Sequence, residues 1–381
     1  MTEREYTAYF EKPEFKAILA RYEAMEASGE KSYFDPEQLT DIAEYYATRN
    51  REKDAELVID YALAMHPGST DPLIFRARTY MLKGDIDTAR LIAESIPDQK
   101  DREVIFLYAE LMLNEGCQRE AEMLLVEELL ANEKSHKEYV FTVRDIVELY
   151  FDYVYTSEAT VLVQKTMEKL KQEDGDPKLM TMARNIFVDC LWNEGRLDET
   201  IEQYNILLDE NPYGIPYWIG LGYVYNQMEK YEQAIESLDY ALAVDPECLE
   251  ALFVKGHSYA LLGNTEKALE LYRICLKKGY DKPLTSYTCG VLEIALGFLD
   301  EAIAHLEYAY SVYGDTSFYS FSICFNLAIA NIKVGDLKRA AAYYYRASQI
   351  NPDDKELAEL IGQITRNDDD DDKKRIIIVD K

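Results

Sequence analysis

Apolar residues recur along this chain at spacings of three and four, in stretches that close on small residues, glycine or proline. Residues 218–246 carry the pattern most clearly: WIGLGYVYNQMEKYEQAIESLDYALAVDP. Counting Ile215 as position 1, Trp218, Leu221 and Tyr225 share one face of a first helix, A, at positions 4, 7 and 11. Ala234, Leu238 and Ala241 share one face of a second helix, B, at positions 20, 24 and 27. Small residues at positions 8 and 20 let two helix backbones approach closely. Pro246 ends helix B because it cannot donate the next amide hydrogen bond.

The pattern recurs with a step of about 34 residues. Position 20 falls at Ala55, Ala89, Ala121, Ala159, Thr200, Ala234, Ala268, Ala302 and Ala340. Position 8 falls at Ala43, Ala77, Ala109, Val147, Val188, Gly222, Gly256, Gly290 and Ala328. Position 15, the turn between the helices, holds Gly84, Gly116, Gly195, Gly263, Gly297 and Gly335, which can take the left-handed conformation that closes a helix. Asp85, Asn264 and Asp336 follow three of these glycines as candidate caps for helix B. Pro67, Pro212, Pro246 and Pro352 fill position 32.

On these residues the chain resembles the tetratricopeptide repeat family over residues 36–354. The resemblance implies an all-α solenoid, a right-handed superhelix of helical hairpins with about nine repeats. The stretch 140–180 fits the template least, with Val147 where a small residue is expected, and longer or irregular helices are expected there. A helix after Pro13 carrying Phe15, Ile18, Leu19 and Tyr22 would cap the N-terminal end within residues 1–35. Leu357, Leu360, Ile361 and Ile364 would cap the other end within 355–366. The repeats then divide into N-terminal members, 36–180, and C-terminal members, 181–354. After Asn367 an aspartate run, Asp368–Asp372, a basic triplet and the apolar segment 376–379 read as a disordered tail.

Charge narrows the partners. The 381 residues carry a net charge of -30, from 41 basic and 71 acidic side chains. Such a chain repels nucleic acid and anionic membrane surfaces. No basic leader with an apolar run opens it, no stretch is long and apolar enough for a membrane helix, and its six cysteines form no C-x-x-C. A cytoplasmic protein with reduced thiols is expected.

No chemistry of catalysis emerges. His66, His136, His257 and His305 sit at no metal-ligand spacing, and no phosphate-binding, dinucleotide or nucleophile-elbow motif is present. The expectation is a non-enzymatic protein with no cofactor and no metal. In the resembled family, positions 2, 5, 9 and 12 of helix A line the concave groove. Glu37, Glu44, Glu103, Glu110 and Glu148 fall there with Arg78 and Arg144 between them, followed by Asp189 and Trp192. Tyr223, Phe253, His257, Tyr287 and Phe325 fall there in the later repeats. The resemblance thus implies a groove running from acidic to aromatic, suited to a protein or peptide partner with basic and apolar parts. Position 9 never holds the asparagine by which some members of the family clamp acidic tails, which argues against that function. The expected role is an interaction scaffold or adaptor, and Tyr-rich arrays of this kind are common in bacteria. The alternative is a peptide-sensing regulator whose superhelix closes on a small peptide.

Overall fold

The protein is described here by a computed structural model covering residues 9–29, 32–131, 135–173, 175–315 and 317–351. Among the described residues there are nineteen α-helices and no strand. The chain forms two compact bodies, residues 1–194 and 195–381. The N-terminal body opens with α1 (Pro13–Ser28). Four A/B pairs follow: α2 (Pro36–Ala47) with α3 (Glu52–Met65), α4 (Thr70–Leu82) with α5 (Ile86–Ser95), α6 (Arg102–Asn114) with α7 (Gln118–Ala131), and α8 (His136–Asp152) with α9 (Thr156–Gln172). It ends with α10 (Pro177–Asn193). The C-terminal body begins with α11 (Leu197–Glu210). Its four pairs are α12 (Ile215–Gln227) with α13 (Tyr231–Val244), α14 (Leu249–Leu261) with α15 (Thr265–Lys278), α16 (Lys282–Leu296) with α17 (Leu299–Tyr313), and α18 (Ser320–Val334) with α19 (Leu337–Ile350).

The turn between A and B is the same throughout. All six position-15 glycines adopt positive φ, from 70° at Gly195 to 88° at Gly335. The three repeats without glycine use Asn50 (φ 57°), Val154 (φ 65°) and Glu229 (φ 60°) at that position. At eight of the nine turns the next amide then reaches back to the carbonyl of position 11, as in Arg51 to Tyr46 at 2.9 Å and Asn264 to Tyr259 at 2.8 Å. This closure satisfies a carbonyl that the end of helix A would otherwise leave bare. Asp85, Asn264 and Asp336 cap the B helices through the amides of Thr88, Lys267 and Arg339, as expected.

Small residues set the A–B crossing. A Cβ added at Gly222 would lie 2.9 Å from Leu238, and one at Gly290 would lie 2.6 Å from Leu306. Each meets the position-24 side chain of its own B helix. The position-20 alanines, from Ala55 to Ala340, are buried. In α1, Phe15, Leu19 and Tyr22 are buried in one cluster with Phe34, Leu39 and Ile42, so the N-terminal helix covers the first pair as expected.

Where the small residues fail, the geometry changes. Helices α8, α9 and α10 run 17 residues each, against 14 in α7 and α11. Val147 at position 8 and Thr166 at position 27 are too bulky for the usual close crossing. Position 11 holds tyrosine in five repeats and Met112, Leu191, Glu293 and Asn331 in the others. Glu293 stands where most repeats have tyrosine, fully buried, and bonds His305 Nδ1 at 2.7 Å and Arg273 Nη2 at 2.9 Å. Burial alone would raise its carboxyl, but the two bonds outweigh it and hold it below the ordinary carboxylate value. The expected helix at 355–366 and the tail lie outside the described residues. No helix among the described residues is long and apolar enough to cross a membrane.

The turn yields a direct test. Val154 is exposed and β-branched, and holds a left-handed conformation that costs an L-residue about 1–2 kcal/mol. Val154→Gly is expected to stabilise the N-terminal body by about 0.5–1 kcal/mol, after the extra entropy that glycine gives the unfolded chain. Gly263→Ala meets nothing within 4 Å, so its expected loss of about 1 kcal/mol is conformational alone. Urea unfolding of both variants checks the pair, and a Val154→Gly protein less stable than its parent would contradict this account.

Candidate functional site

On the N-terminal body, a cavity of about 520 Å³ opens across three successive A helices, α4, α6 and α8. Its walls are Arg78, Met81, Leu82, Glu110, Asn114, Leu149, Asp152 and Tyr153. Most occupy positions 9, 12 and 13 of their repeats, so the cavity follows the helical register. Arg78 donates to both oxygens of Glu110, with Nε at 3.1 and 3.0 Å and Nη2 at 2.6 Å. Glu103 approaches the same guanidinium at 3.9 Å. Burial would weaken the Arg78 charge, but the Glu110, Glu103 and Glu44 carboxylates hold it firmly protonated. Asn114 donates to the Glu110 carbonyl and to the Tyr153 hydroxyl.

The expected acidic residues are therefore not equivalent. Glu110 is committed to Arg78. Glu103 is exposed, and Glu148 lies 3.9 Å from Arg144. The uncompensated charge appears instead at Asp152 and Asp189. The Asp152 carboxyl is raised by burial and by Glu110, against the opposing pull of Arg78. Asp189 is exposed, yet the protein crowding it and the charge of Glu148 push its carboxyl up to about 6. Trp192, three residues on along α10, is half-buried. Asp152 and Asn114 went unnoticed in the sequence because position 13 was not counted as groove-lining, although it lies one turn from position 9 or 10.

On the C-terminal body the expected aromatic residues divide in two. Tyr223 on α12 and His257 on α14 are exposed. The protein packed around the exposed His257 ring nonetheless lowers its imidazole below the ordinary value, favouring the neutral ring. Phe253, Tyr287 and Phe325 are half-buried in aromatic clusters. The Phe253 ring lies 5.0 Å from Tyr272 and 5.4 Å from Tyr280. Tyr287 lies 5.7 Å from Tyr319, and Phe325 stacks on Phe321 at 6.1 Å and meets Tyr344 edge-on. One turn beyond Tyr223, at position 12, Asn226 is only 8% exposed, and neither its Nδ2 nor its Oδ1 has a hydrogen-bond partner. No group of three or more candidate metal ligands occurs among the described residues.

Residues 219–279 and 321–354 match two family models, each described as the tetratricopeptide repeat. These stretches of the chain carry tetratricopeptide repeats. Over 191 residues it is 24% identical to a tetratricopeptide repeat-containing protein of Methanocaldococcus jannaschii, covering 50% of this chain and 32% of that one. Over 166 residues it is 22% identical to anaphase-promoting complex subunit 3 of Schizosaccharomyces pombe, covering 44% of this chain and 24% of that one. The chain thus spans a third or less of the length of these curated relatives. Among solved structures it is similar to a tetratricopeptide repeat protein from Parabacteroides merdae, at 14% identity and TM-score 0.44, covering 77% of this chain and 97% of that one. It is also similar to PilF of Pseudomonas aeruginosa, at 15% identity and TM-score 0.49, covering 60% and 99%.

Asp189 supplies a test of the electrostatics. A carboxyl that is harder to ionise in the folded protein binds its proton more tightly there. It therefore costs nothing well below its ordinary value near 3.9, opposes folding increasingly as pH rises, and does so fully above about 6. Asp189→Asn is expected to melt higher than the parent at pH 7.5, with the advantage shrinking toward pH 4.5. Thermal melts across that range check it, and an advantage that does not change with pH would contradict the assignment.

Proposed function

We propose that this protein is a non-enzymatic interaction scaffold whose A-helix faces bind segments of partner polypeptides, with basic segments favoured on the N-terminal body and apolar ones on the C-terminal body. The observation that carries this reading is the cavity across α4, α6 and α8, where two carboxylates, Glu110 and Asp152, face the single Arg78 guanidinium, with Glu103 3.9 Å from that guanidinium. A carboxylate-rich concavity steers cations and raises their association rate in a salt-dependent way. On the C-terminal body, exposed Tyr223 and half-buried Phe253 offer aromatic groups of the kind typical of binding hot spots. The net charge of -30 supports partners of opposite sign.

The test uses peptides of about twelve residues selected from a random displayed library against the full chain. Lysine- or arginine-bearing binders are expected, with affinity falling steeply between low and physiological salt. Reversing Glu103 and Asp152 to lysine is expected to slow their association about tenfold and flatten the salt dependence. Glu110 is unsuitable for this purpose, because its reversal would also strand Arg78. Tyr223→Ala is expected to weaken the apolar binders by about 1–2 kcal/mol. Binders of neutral composition whose rates ignore the double reversal would overturn the reading.

A further inference from the structure

A second cavity, of about 460 Å³, lies between the B helices α7 and α9, with buried Ile146 and Tyr150 of α8 as its floor. It shares no lining residue with the cavity across α4, α6 and α8. Exposed Val126 and Leu130 of α7 form one rim, and exposed Val161 of α9 forms the other. Met123, also exposed, extends the α7 row at a spacing of three. Single apolar residues on a surface are ordinary, but these border one apolar groove. The groove is charged in opposite senses at its two ends. Gln118, at the start of α7, donates to Glu158, at the start of α9, at 2.9 Å. Leu130 and Lys165, about two turns further along each helix, line the same groove, so α7 and α9 run the same way. Glu122 stands with Glu158 at the first end, where burial and then these two charges push the Tyr150 hydroxyl up to about 12. Exposed Lys165 stands at the other.

We propose that this groove holds an amphipathic helix of a partner polypeptide, lying antiparallel to α7 and α9, with acidic residues toward its N-terminus against Lys165 and basic residues toward its C-terminus against Glu122 and Glu158. The site is separate from the A-helix faces and does not rest on the reading proposed for them. The cavity takes a few side chains and not a whole helix, so the partner rests on the rims and sends one apolar stripe inward. From Glu122 to Leu130 the groove runs about 12 Å at 1.5 Å per residue, which matches side chains at i, i+3 or i+4, and i+7. An extended segment would bring unpaired amides and carbonyls to walls whose own backbone groups are spent within three helices, and burying them there is costly. Charge sets the direction. A helix is stabilised by acidic residues near its N-terminus and basic ones near its C-terminus. Run opposite to α7 and α9, such a helix sets each charged end against its complement, and its dipole opposes theirs.

The probe is a displayed library of helix-forming peptides of about fourteen residues, varied on one face and selected against the full chain. Binders are expected to lose about tenfold or more in affinity for a protein carrying Val126→Glu and Val161→Glu. Both side chains are exposed, so that protein should melt with the parent. Lys165→Glu is expected to weaken the same peptides by up to about fivefold. Exchanging their early acidic residue for lysine should restore the loss on Lys165→Glu and not improve binding to the parent. This exchange reads the site even if the doubly substituted protein folds poorly. Glu103→Lys with Asp152→Lys should leave these peptides unaffected, so the two sites fail separately. Selection of no helix that responds to Val126→Glu with Val161→Glu or to Lys165→Glu overturns the proposal, as do responsive helices with the opposite order of charge. A parent that sediments as a dimer, with the doubly substituted protein monomeric, gives the groove to a second copy of this chain and overturns it. Binding that appears only once Leu360→Glu and Ile364→Glu are introduced gives the groove to residues 355–366 of the chain itself and likewise overturns it.

Discussion

A left-handed residue at position 15 is the constraint from which the repeats are built. It reverses the chain within a few residues and lets the following amide close on the position-11 carbonyl. With the reversal fixed, helix B must run back along helix A. Close packing then depends on small residues at positions 8 and 20. Six repeats meet the turn's requirement with glycine, and the others force Asn50, Val154 and Glu229 into the same conformation. That three different side chains accept this backbone shows that the hairpin's packing outweighs about 1–2 kcal/mol of local strain.

Much of this was legible in the sequence because it depends on local requirements. A positive φ calls for glycine, a cap calls for aspartate or asparagine, and a close crossing calls for alanine or glycine. Each leaves a recognisable residue at a fixed offset, as at Gly84, Asp85 and Ala89. The long helices α8 and α9 were foreshadowed by the same logic, since Val147 breaks the crossing rule. The C-terminal capping helix lies outside the described residues and stays an expectation.

What the sequence concealed is pairing between repeats. Arg78 and Glu110 lie a full repeat apart, and nothing in their spacing says that a bidentate ion pair removes Glu110 from the surface charge. Glu293, Arg273 and His305 come from three helices, and the carboxylate is buried only because all three converge. Phe253, Tyr287 and Phe325 sit at positions read as groove-facing. Their half-burial comes from Tyr272, Tyr319 and Tyr344, which the helical register alone does not bring to them. Asn226 is the reverse case. Its position was covered by the rule, but the fact that distinguishes it, the absence of partners for its amide, exists only in three dimensions. The face positions thus mix groups that hold the repeats together with groups exposed to solvent, and Tyr223, His257 and Asp152 belong to the second kind.

The measurement that bears most directly on the central claim is native-state hydrogen exchange resolved at the residues after the left-handed turns. Arg51, Asp85, Cys117, Tyr155, Lys230, Asn264, Phe298 and Asp336 each donate to a position-11 carbonyl at 2.8–2.9 Å. If the turn closure organises each hairpin, these eight amides will be protected as well as those in the middle of their own A helices, and will exchange only when the hairpin opens. Exchange at the rate of open loops, with the flanking helices still protected, would show that the hairpins hold without the closure and would contradict the account.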